Sequence, residues 1–375
     1  MTNISTLGQA IDQISRIKDQ QNLLDSLSTQ IATGKKTQQF SGLGSDILRS
    51  QRNRADINQL EQYSTNISNA QRRIQLMTNG IQEIQAQTNT IVQSLTVAVQ
   101  AGDFPDFEVI QELADDVYDF IIDILNQKDG ERYLYAGSDS SVKPIEDKGL
   151  FDSFLGEYVP DNTDIANPPL VADGFIGDWG DGTITTQEFI DAYQAVNQNV
   201  LGYSEALVSG TTGEVRVRVD ENSDFDYTVL ANTEGAQDII TALGVLRAMP
   251  TPENSPGALN DPTATRPADD TPPFPSAEKQ ENFFAVVQNV LQTLVGGIDK
   301  IEQEEYKLAL VEQQTNLIKE DQRLQINAFQ TIVSEVEDVD VTEAVAKIQQ
   351  VQLSLETSFQ VTGLISDLTL ANFLR

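Results

Sequence analysis

Residues 60–98 read LEQYSTNISNAQRRIQLMTNGIQEIQAQTNTIVQSLTVA, and this stretch decides the fold. Its seam residues follow one another in steps of three and four, interrupted only by the polar Thr88: Leu60, Tyr63, Ile67, Ala70, Ile74, Met77, Ile81, Ile84, Ile91, Leu95 and Ala98. Such spacing places one narrow apolar seam along a long helix. The seam therefore predicts a helical partner, either the other end of the same chain or a neighbouring copy.

A second helical region fills the last hundred residues. Apolar residues recur at helical spacing from Val287 to Ile332, and Asp340 with Glu343 predicts the start of a last helix. Three apolar residues of that helix share one face: Ile348, Val351 and Leu355. We therefore predict an assembly interface built from both ends of the chain: Leu60, Ile67, Ile74, Ile81, Ile84, Ile348, Val351 and Leu355.

The segments around these two regions predict shorter elements. An amphipathic helix over residues 4–32 ends at Gly34, a residue that suits a helix C-terminus. Val215, Val217 and Val219 alternate with charged residues, as in a half-buried strand. The further predicted elements are a loop to Gly44, helices over 106–127, 186–201 and 236–248, a strand over 132–138, and a β-hairpin near 213–230.

The order of these elements predicts four parts: an N-terminal helical rod half (1–102), an outer α+β domain (103–249), a proline-rich linker or loop (250–275), and a C-terminal helical rod half (276–375). The third part holds 8 of the 13 prolines. We expect a mostly α fold with an inserted α+β region. Its long terminal helices form an antiparallel coiled-coil or helical-bundle rod, and the outer domain is mixed and contains β-structure.

The composition argues against an enzyme. The 375 residues include neither cysteine nor histidine, so the chain lacks thiol nucleophiles, the commonest general base and the usual zinc ligands. No serine–lysine or buried carboxylate motif replaces them. We expect no cofactor and a structural role.

The net charge of −33 is concentrated in the middle of the chain, where residues 101–275 hold 34 acidic and 8 basic side chains. This balance disfavours nucleic acid as a partner, because phosphate binding needs an excess of lysine and arginine. Asp115, Asp119 and Asp123 lie at i,i+4 spacing opposite the apolar face of their helix. We interpret the acidic middle as a solvated surface, with a cation-binding surface as the alternative.

The strongest metal-like motif runs from Asp181 to Glu188 and matches the second half of an EF-hand loop. Its first half fails, because Gly177 and Trp179 occupy ligand positions and Asp178 is one residue out of frame. A glycine turn followed by a capped helix explains the same residues. Asp178, Asp181 and Glu188 are therefore the candidates for Ca²⁺, although we expect no metal.

One basic cluster stands out: Lys35 and Lys36, with Arg49, Arg52 and Arg54. It could meet an acidic surface on a neighbouring copy, or it could be ordinary helix-surface charge. The N-terminus lacks the basic and apolar regions of a secretory signal, and no apolar run approaches membrane-spanning length. This suggests a cytoplasmic protein, unless export uses a route without a cleaved signal.

Three segments resemble the flagellin superfamily of bacterial axial proteins. Residues 28–36, STQIATGKK, resemble the segment that ends the first helix of that family. Residues 131–138, ERYLYAGS, resemble the strand that opens the outer domain of the type 3 hook-associated proteins, which join hook to filament. Residues 340–374 resemble the closing helix. Residues 37–44, TQQFSGLG, differ from the usual flagellin stretch at that place, which also favours the junction proteins.

The resemblance implies that the terminal helices form the core of a ring or tubular assembly and that the acidic middle faces outward. It implies an extracellular protein of the flagellum, exported without a cleaved signal peptide. Its partners would be other copies of itself, other axial proteins (hook-associated protein type 1 and flagellin) and an export chaperone. The alternatives are a filament-forming flagellin and a surface protein whose middle domain binds Ca²⁺ or a glycan.

Overall fold

The computed structural model describes residues 2–101, 107–156, 174–180, 184–249 and 277–373. It contains two compact units. The terminal unit comprises residues 1–62 and 320–375, and the central unit comprises residues 63–319. The boundaries of these units lie inside two long helices, and the four-part division expected from the sequence remains a prediction.

The described residues are mostly α-helical, as predicted. The helices are α1 (Thr2–Thr33), α2 (Ile47–Ala101), α3 (Phe107–Leu125), α4 (Gly149–Leu155), α5 (Phe175–Gly180), α6 (Thr186–Gln194), α7 (Glu205–Val208), α8 (Glu234–Ala248), α9 (Ala277–Glu337) and α10 (Val341–Phe373). The strands are β1 (Lys128–Asp129), β2 (Arg132–Tyr133), β3 (Arg216–Asp220) and β4 (Ser223–Asp226). They form two separate antiparallel pairs, β1 with β2 and β3 with β4.

In the terminal unit, α1 and α10 pack against each other in opposite directions. Gln20 donates a hydrogen bond to Ser354 (2.6 Å), and Thr362 donates one to Gln13 (3.0 Å), so the register runs antiparallel. A small apolar cluster, with Leu27 of α1 at its centre, lies between the two helices. The first and the last helix of the described residues are therefore partners.

In the central unit, α2, α3, α8 and α9 share one continuous apolar core. The chain just after β2 is anchored to α2, because Tyr135 is buried and its hydroxyl donates a hydrogen bond to the Met77 carbonyl (3.0 Å). Arg73 adds a second link by donating to the Tyr133 carbonyl (3.2 Å). The predicted β-hairpin is present as β3 and β4, and the predicted helix over 236–248 is present as α8.

Three predicted elements differ from the structure. The loop to Gly44 contains a 3₁₀ helix over Phe40–Asp46. The strand over 132–138 pairs only at Arg132–Tyr133 and then turns at Gly137, whose φ of 62° ends the extended backbone. The helix predicted over 186–201 ends at Gln194, because residues 197–202 fold into turns that finish at Gly202 (φ 80°). The predicted linker over 250–275 lies outside the described residues.

The adjacent Gly296 and Gly297 of α9 have different surroundings. A Cβ on Gly297 would lie 2.7 Å from Ile239 Cγ1 and 3.1 Å from the Gly235 carbonyl oxygen, so this glycine permits close packing of α8 on α9. A Cβ on Gly296 would meet nothing within 4 Å.

We therefore expect alanine to act with opposite signs at these two positions. Gly297→Ala should lower the free energy of unfolding of the central unit by about 1–3 kcal/mol, because the helices must separate. Gly296→Ala should raise it by about 0.5–1 kcal/mol, because alanine is the better helix former. Urea unfolding followed by the fluorescence of Trp179, the only tryptophan, measures both changes. Equal effects at the two positions would contradict the packing described here.

Candidate assembly site

The predicted seam residues of α2 lie inside the chain's own core. Ile67, Ile74, Ile81 and Ile84 are buried in the central unit, where they share one apolar cluster with residues of α3, α8 and α9. Leu60 is half-buried and belongs to the terminal unit. These side chains therefore contact the same chain, and a role for them between copies remains a prediction.

The predicted seam residues of α10 belong to a different cluster. Val351 and Leu355 are buried, and Ile348 is half-buried against them. All three pack with Leu27 and its neighbours in α1. The structure thus places seven of the eight predicted interface residues in two separate clusters of the same chain, and Leu60 belongs to neither cluster.

The structure also shows apolar residues that the two paired helices leave in solvent. Two helices bury only one narrow face of each other, so the remaining apolar residues stay exposed. In α1 these include Ile11 and Ile14, 58% and 63% exposed, and in α10 they include Leu353 and Leu364, 66% and 64% exposed. Ile11 and Ile14 lie in the amphipathic helix predicted over residues 4–32, and the sequence pattern gives no sign that α10 leaves them uncovered.

A cluster of charges joins the two chain reversals of the terminal unit. Glu337, at the end of α9, is buried and accepts two hydrogen bonds from Arg54, from Nε (2.7 Å) and Nη2 (2.6 Å). Ser50 donates a third hydrogen bond to the same carboxylate. Lys35 lies 3.4 Å from Glu337 and 2.6 Å from the Asp338 carboxylate. The carboxylate of Glu337 therefore contacts both the segment after α1 and the first turns of α2.

Backbone hydrogen bonds hold the same two reversals together. The Lys36 amide donates to the Glu337 carbonyl (2.7 Å), and the Val339 amide donates to the Gly34 carbonyl (2.9 Å). Gly34 has a φ of 72°, which ends α1 and turns the chain toward this contact. After the second reversal, the Asp340 side chain accepts hydrogen bonds from two amides of the first turn of α10, whereas the Glu343 carboxylate pairs with Lys347 (2.6 Å).

The electrostatics of this cluster follow from its hydrogen bonds. Donation by Arg54, followed by Ser50 and Lys35, lowers the pKa of Glu337 from 4.5 to about 2. The hydrogen bond to Asp338 raises the pKa of Lys35, and the same bond lowers the pKa of Asp338. The carboxylates of Glu337 and Asp338 and the ammonium group of Lys35 therefore stay charged at neutral pH.

Replacement of Glu337 by glutamine is expected to destabilise the contact between the two chain reversals. The loss should be about 1–2 kcal/mol at pH 7, because Arg54 and Lys35 are nearly half exposed and water screens their charges. Since the pKa of Glu337 is lower in the folded chain, its contribution is full above about pH 4.5 and is lost as the pH falls through about 2. The difference between wild type and variant should therefore close over this interval.

Hydrogen exchange of the Val339 amide reports on the contact between the two chain reversals, because that amide donates a hydrogen bond to the Gly34 carbonyl. Glu335→Gln is the matched control, since Glu335 is exposed two residues earlier in α9 and should leave the protection of Val339 unchanged. A Glu337→Gln variant with wild-type protection at pH 7 would show that the carboxylate does not stabilise the reversal.

The structure assigns the predicted basic cluster to side-chain contacts within the chain at three of its five positions. Lys36 donates hydrogen bonds to the carbonyls of Glu335 (2.6 Å) and Val336 (3.1 Å). Lys35 and Arg54 pair with Glu337 and Asp338, which the sequence reasoning did not connect with them. The one signal in the sequence was the placement of opposite charges at two chain reversals, residues 34–36 and 337–339.

The candidates for Ca²⁺ have a simpler explanation where the structure describes them. Glu188 accepts hydrogen bonds from the amide (2.8 Å) and hydroxyl (2.9 Å) of Thr185, which form a capping box at the start of α6. The amide hydrogen bond lowers the pKa of Glu188. Asp178 lies in α5, and Asp181 lies outside the described residues. Among the described residues, no three acidic side chains are grouped so as to hold a metal ion.

One protein family has a sequence model that matches the N-terminal part of this chain. Residues 4–138 match the family model for the bacterial flagellin N-terminal helical region. The match covers most of α1, all of α2 and α3, and the segment over 131–138. No curated protein matches the chain. Within the described residues, every helix is too short or too polar to span a lipid bilayer.

The flagellin superfamily consists of structural proteins of the extracellular flagellum. The match extends over the N-terminal third of the chain and supports this superfamily. The chain is therefore similar to bacterial flagellins over its N-terminal third, and the structural role that this likeness suggests is a matter for proposal.

Proposed function

We propose that this chain is the subunit that joins the hook of the flagellum to its filament. The observation that carries the structural role is the pairing of α1 with α10, which leaves large apolar side chains exposed on both helices. Apolar surface of this kind is typical of a contact with other proteins. In an assembled ring or tube, these residues would be buried between copies.

The junction role rests on two segments. Residues 131–138 resemble the strand that opens the outer domain of junction proteins, and residues 37–44 differ from the usual flagellin sequence. In the structure, the first segment is anchored to α2 through Tyr133 and Tyr135. Such an anchor suits a place where an outer domain leaves the helical part of the chain.

In this proposal, residues 1–102 and 276–375 form the two halves of the helical rod, and residues 103–249 form the outer domain. The partners are copies of the chain itself, hook-associated protein type 1 on one side and flagellin on the other. An export chaperone holds the chain before assembly.

A filament-forming flagellin is the second candidate. The match to the flagellin N-terminal model favours it, and that match extends across residues 131–138. The two candidates share the same helical packing and differ in copy number and position. A junction subunit occupies one short zone, whereas a filament subunit repeats along the whole filament.

Immunogold electron microscopy of intact cells tests the proposal. An antibody against residues 107–249 is used, and cells that lack the gene serve as the control. The proposal expects label in one short band between hook and filament. Label along the whole filament would identify a filament flagellin, and label scattered over the cell body would overturn a flagellar role.

A further inference from the structure

The outward side of α2 in the central unit carries almost no charge. Between residues 75 and 100, all of which the structure describes, ten side chains are exposed, and Glu83 is the one ionisable group among them. The others are glutamine, asparagine, threonine, alanine and valine, and apart from the adjacent Asn89 and Thr90 they are spaced three or four residues apart. We call these exposed residues the neutral face of α2; it extends over about 38 Å of helix.

A second surface of the central unit is both uncharged and apolar. Tyr306, Leu310 and Leu317 of α9 are 66%, 55% and 67% exposed and lie on one side of the helix. The other exposed side chains between them are Ala309, Gln313 and Asn316. We call Tyr306, Leu310 and Leu317 the apolar stripe of α9.

Two charged residues beside this stripe, Glu305 and Lys307, form hydrogen bonds within their own chain. Glu305 is half-buried and accepts a hydrogen bond from Gln82 (2.7 Å). Lys307 is half-buried and donates one to the Thr228 carbonyl (2.7 Å). Both of these side chains therefore already have partners in their own chain. The exposed Glu302, one turn before the stripe, accepts a hydrogen bond from the Tyr306 hydroxyl (3.1 Å).

The outward side of α3, in the same unit, is strongly acidic. Of its seven exposed residues, five are acidic: Glu108, Glu112, Asp115, Asp116 and Asp123. Val109, which is 62% exposed, lies among these acidic residues. The outward side of α3 is thus strongly acidic, whereas the neutral face of α2 carries the single carboxylate of Glu83 and no exposed residue between Tyr306 and Leu317 is charged.

This distribution distinguishes between partners. A basic partner would be attracted to the acidic side of α3. A partner that itself carries a net charge of −33 is repelled there and can approach closely only where charge is absent. Interface cores are depleted of charged residues and enriched in tyrosine, as the apolar stripe is. A second copy of the same chain carries this net charge, and it also offers an uncharged surface through which it can approach.

We propose that the apolar stripe of α9 in one copy packs on the neutral face of α2 in the next copy. The inference rests on the proposed function for the premise that copies assemble, and it names the surfaces through which they do so. The two surfaces differ, so a copy that uses its apolar stripe in one contact still has its neutral face free for another copy. The contact can therefore repeat. Repetition of this kind produces a closed ring or a helical tube, whereas a contact of like with like stops at a dimer.

Cysteine cross-linking tests the contact cleanly, because the natural chain has no cysteine. Leu317→Cys is combined in turn with Asn79→Cys, Ala86→Cys or Gln93→Cys, which sample the neutral face about every 10 Å. A bifunctional maleimide is applied to isolated flagella and, separately, to the concentrated purified chain. At least one pair should give a ladder of covalent oligomers.

Two controls accompany the pairs. Leu317→Cys alone should give no oligomers, and covalent dimers from it would overturn the proposal by showing that like surfaces meet. Val109→Cys replaces Leu317→Cys in the matched pair, since it is a similarly exposed apolar position on the acidic side of α3. Ladders of equal yield from this pair would also overturn the proposal.

The two samples separate this inference from the proposed function. If the chain is present in flagella and no pair gives a ladder, the contact is wrong and the flagellar role stands. If the chain is absent from flagella and the purified sample gives a ladder, the contact stands and the flagellar role is wrong. Absence from flagella together with no ladder in the purified sample overturns both.

Discussion

Ile74→Asp is expected to destabilise the central unit by at least about 4 kcal/mol. Ile74 is fully buried in the core shared by α2, α3, α8 and α9. Loss of a buried isoleucine costs about 2–5 kcal/mol, and a buried carboxylate without a partner adds several more. The midpoint of urea unfolding, measured by the fluorescence of Trp179, should fall sharply or the transition should vanish. Trp179 is a suitable reporter because it is buried in this unit against Phe189.

Gln75→Asp is the control, since it places the same charge one residue further along α2 at an exposed position. It should change the free energy of unfolding by no more than about 0.5 kcal/mol. Equal midpoints for the Ile74 and Gln75 variants would mean that the seam of α2 is not the core of this unit.

The second large effect is expected in the terminal unit alone. Val351→Asp together with Leu355→Asp should release α10 from α1, because burial of each side chain contributes about 1.5–3 kcal/mol. An isolated helix without its apolar contact is marginal in water. We therefore expect amide protection along α10 to fall at least about a hundredfold while the fluorescence transition of Trp179 stays in place.

Leu353→Asp is the matched control within the same helix. Leu353 lies between the two buried positions but is 66% exposed. It should leave the protection of α10 in the isolated chain nearly unchanged. If it lowers protection as much as the double variant does, the packing of Val351 and Leu355 against α1 cannot be what holds α10.

The sequence predicted the long helices well and their partners poorly. The three- and four-residue spacing identifies the buried side of α2 because period is a local property. It does not say which helix covers that side. Ile74 and Val351 were therefore assigned to one interface, although they pack in separate clusters of the same chain.

Two further differences have clear physical causes. The network around Glu337 was missed because Arg54 lies 283 residues away in sequence, and no local pattern connects them. The helix over 186–201 was predicted too long because Val196 and Val200 continue the apolar spacing after Gln194. Turns that end at Gly202 override that spacing.

The pairing of α1 with α10 has a consequence for the order of folding. The hydrogen bond between Gln20 and Ser354 spans 334 positions, so α1 leaves the ribosome long before its partner exists. Contacts this distant in sequence form slowly, because the ends of a long loop must first be brought together. Formation of the central unit shortens that loop, and we expect protection of α10 to appear only after Trp179 is buried. The ends of the chain are then the last part to fold and the first to open.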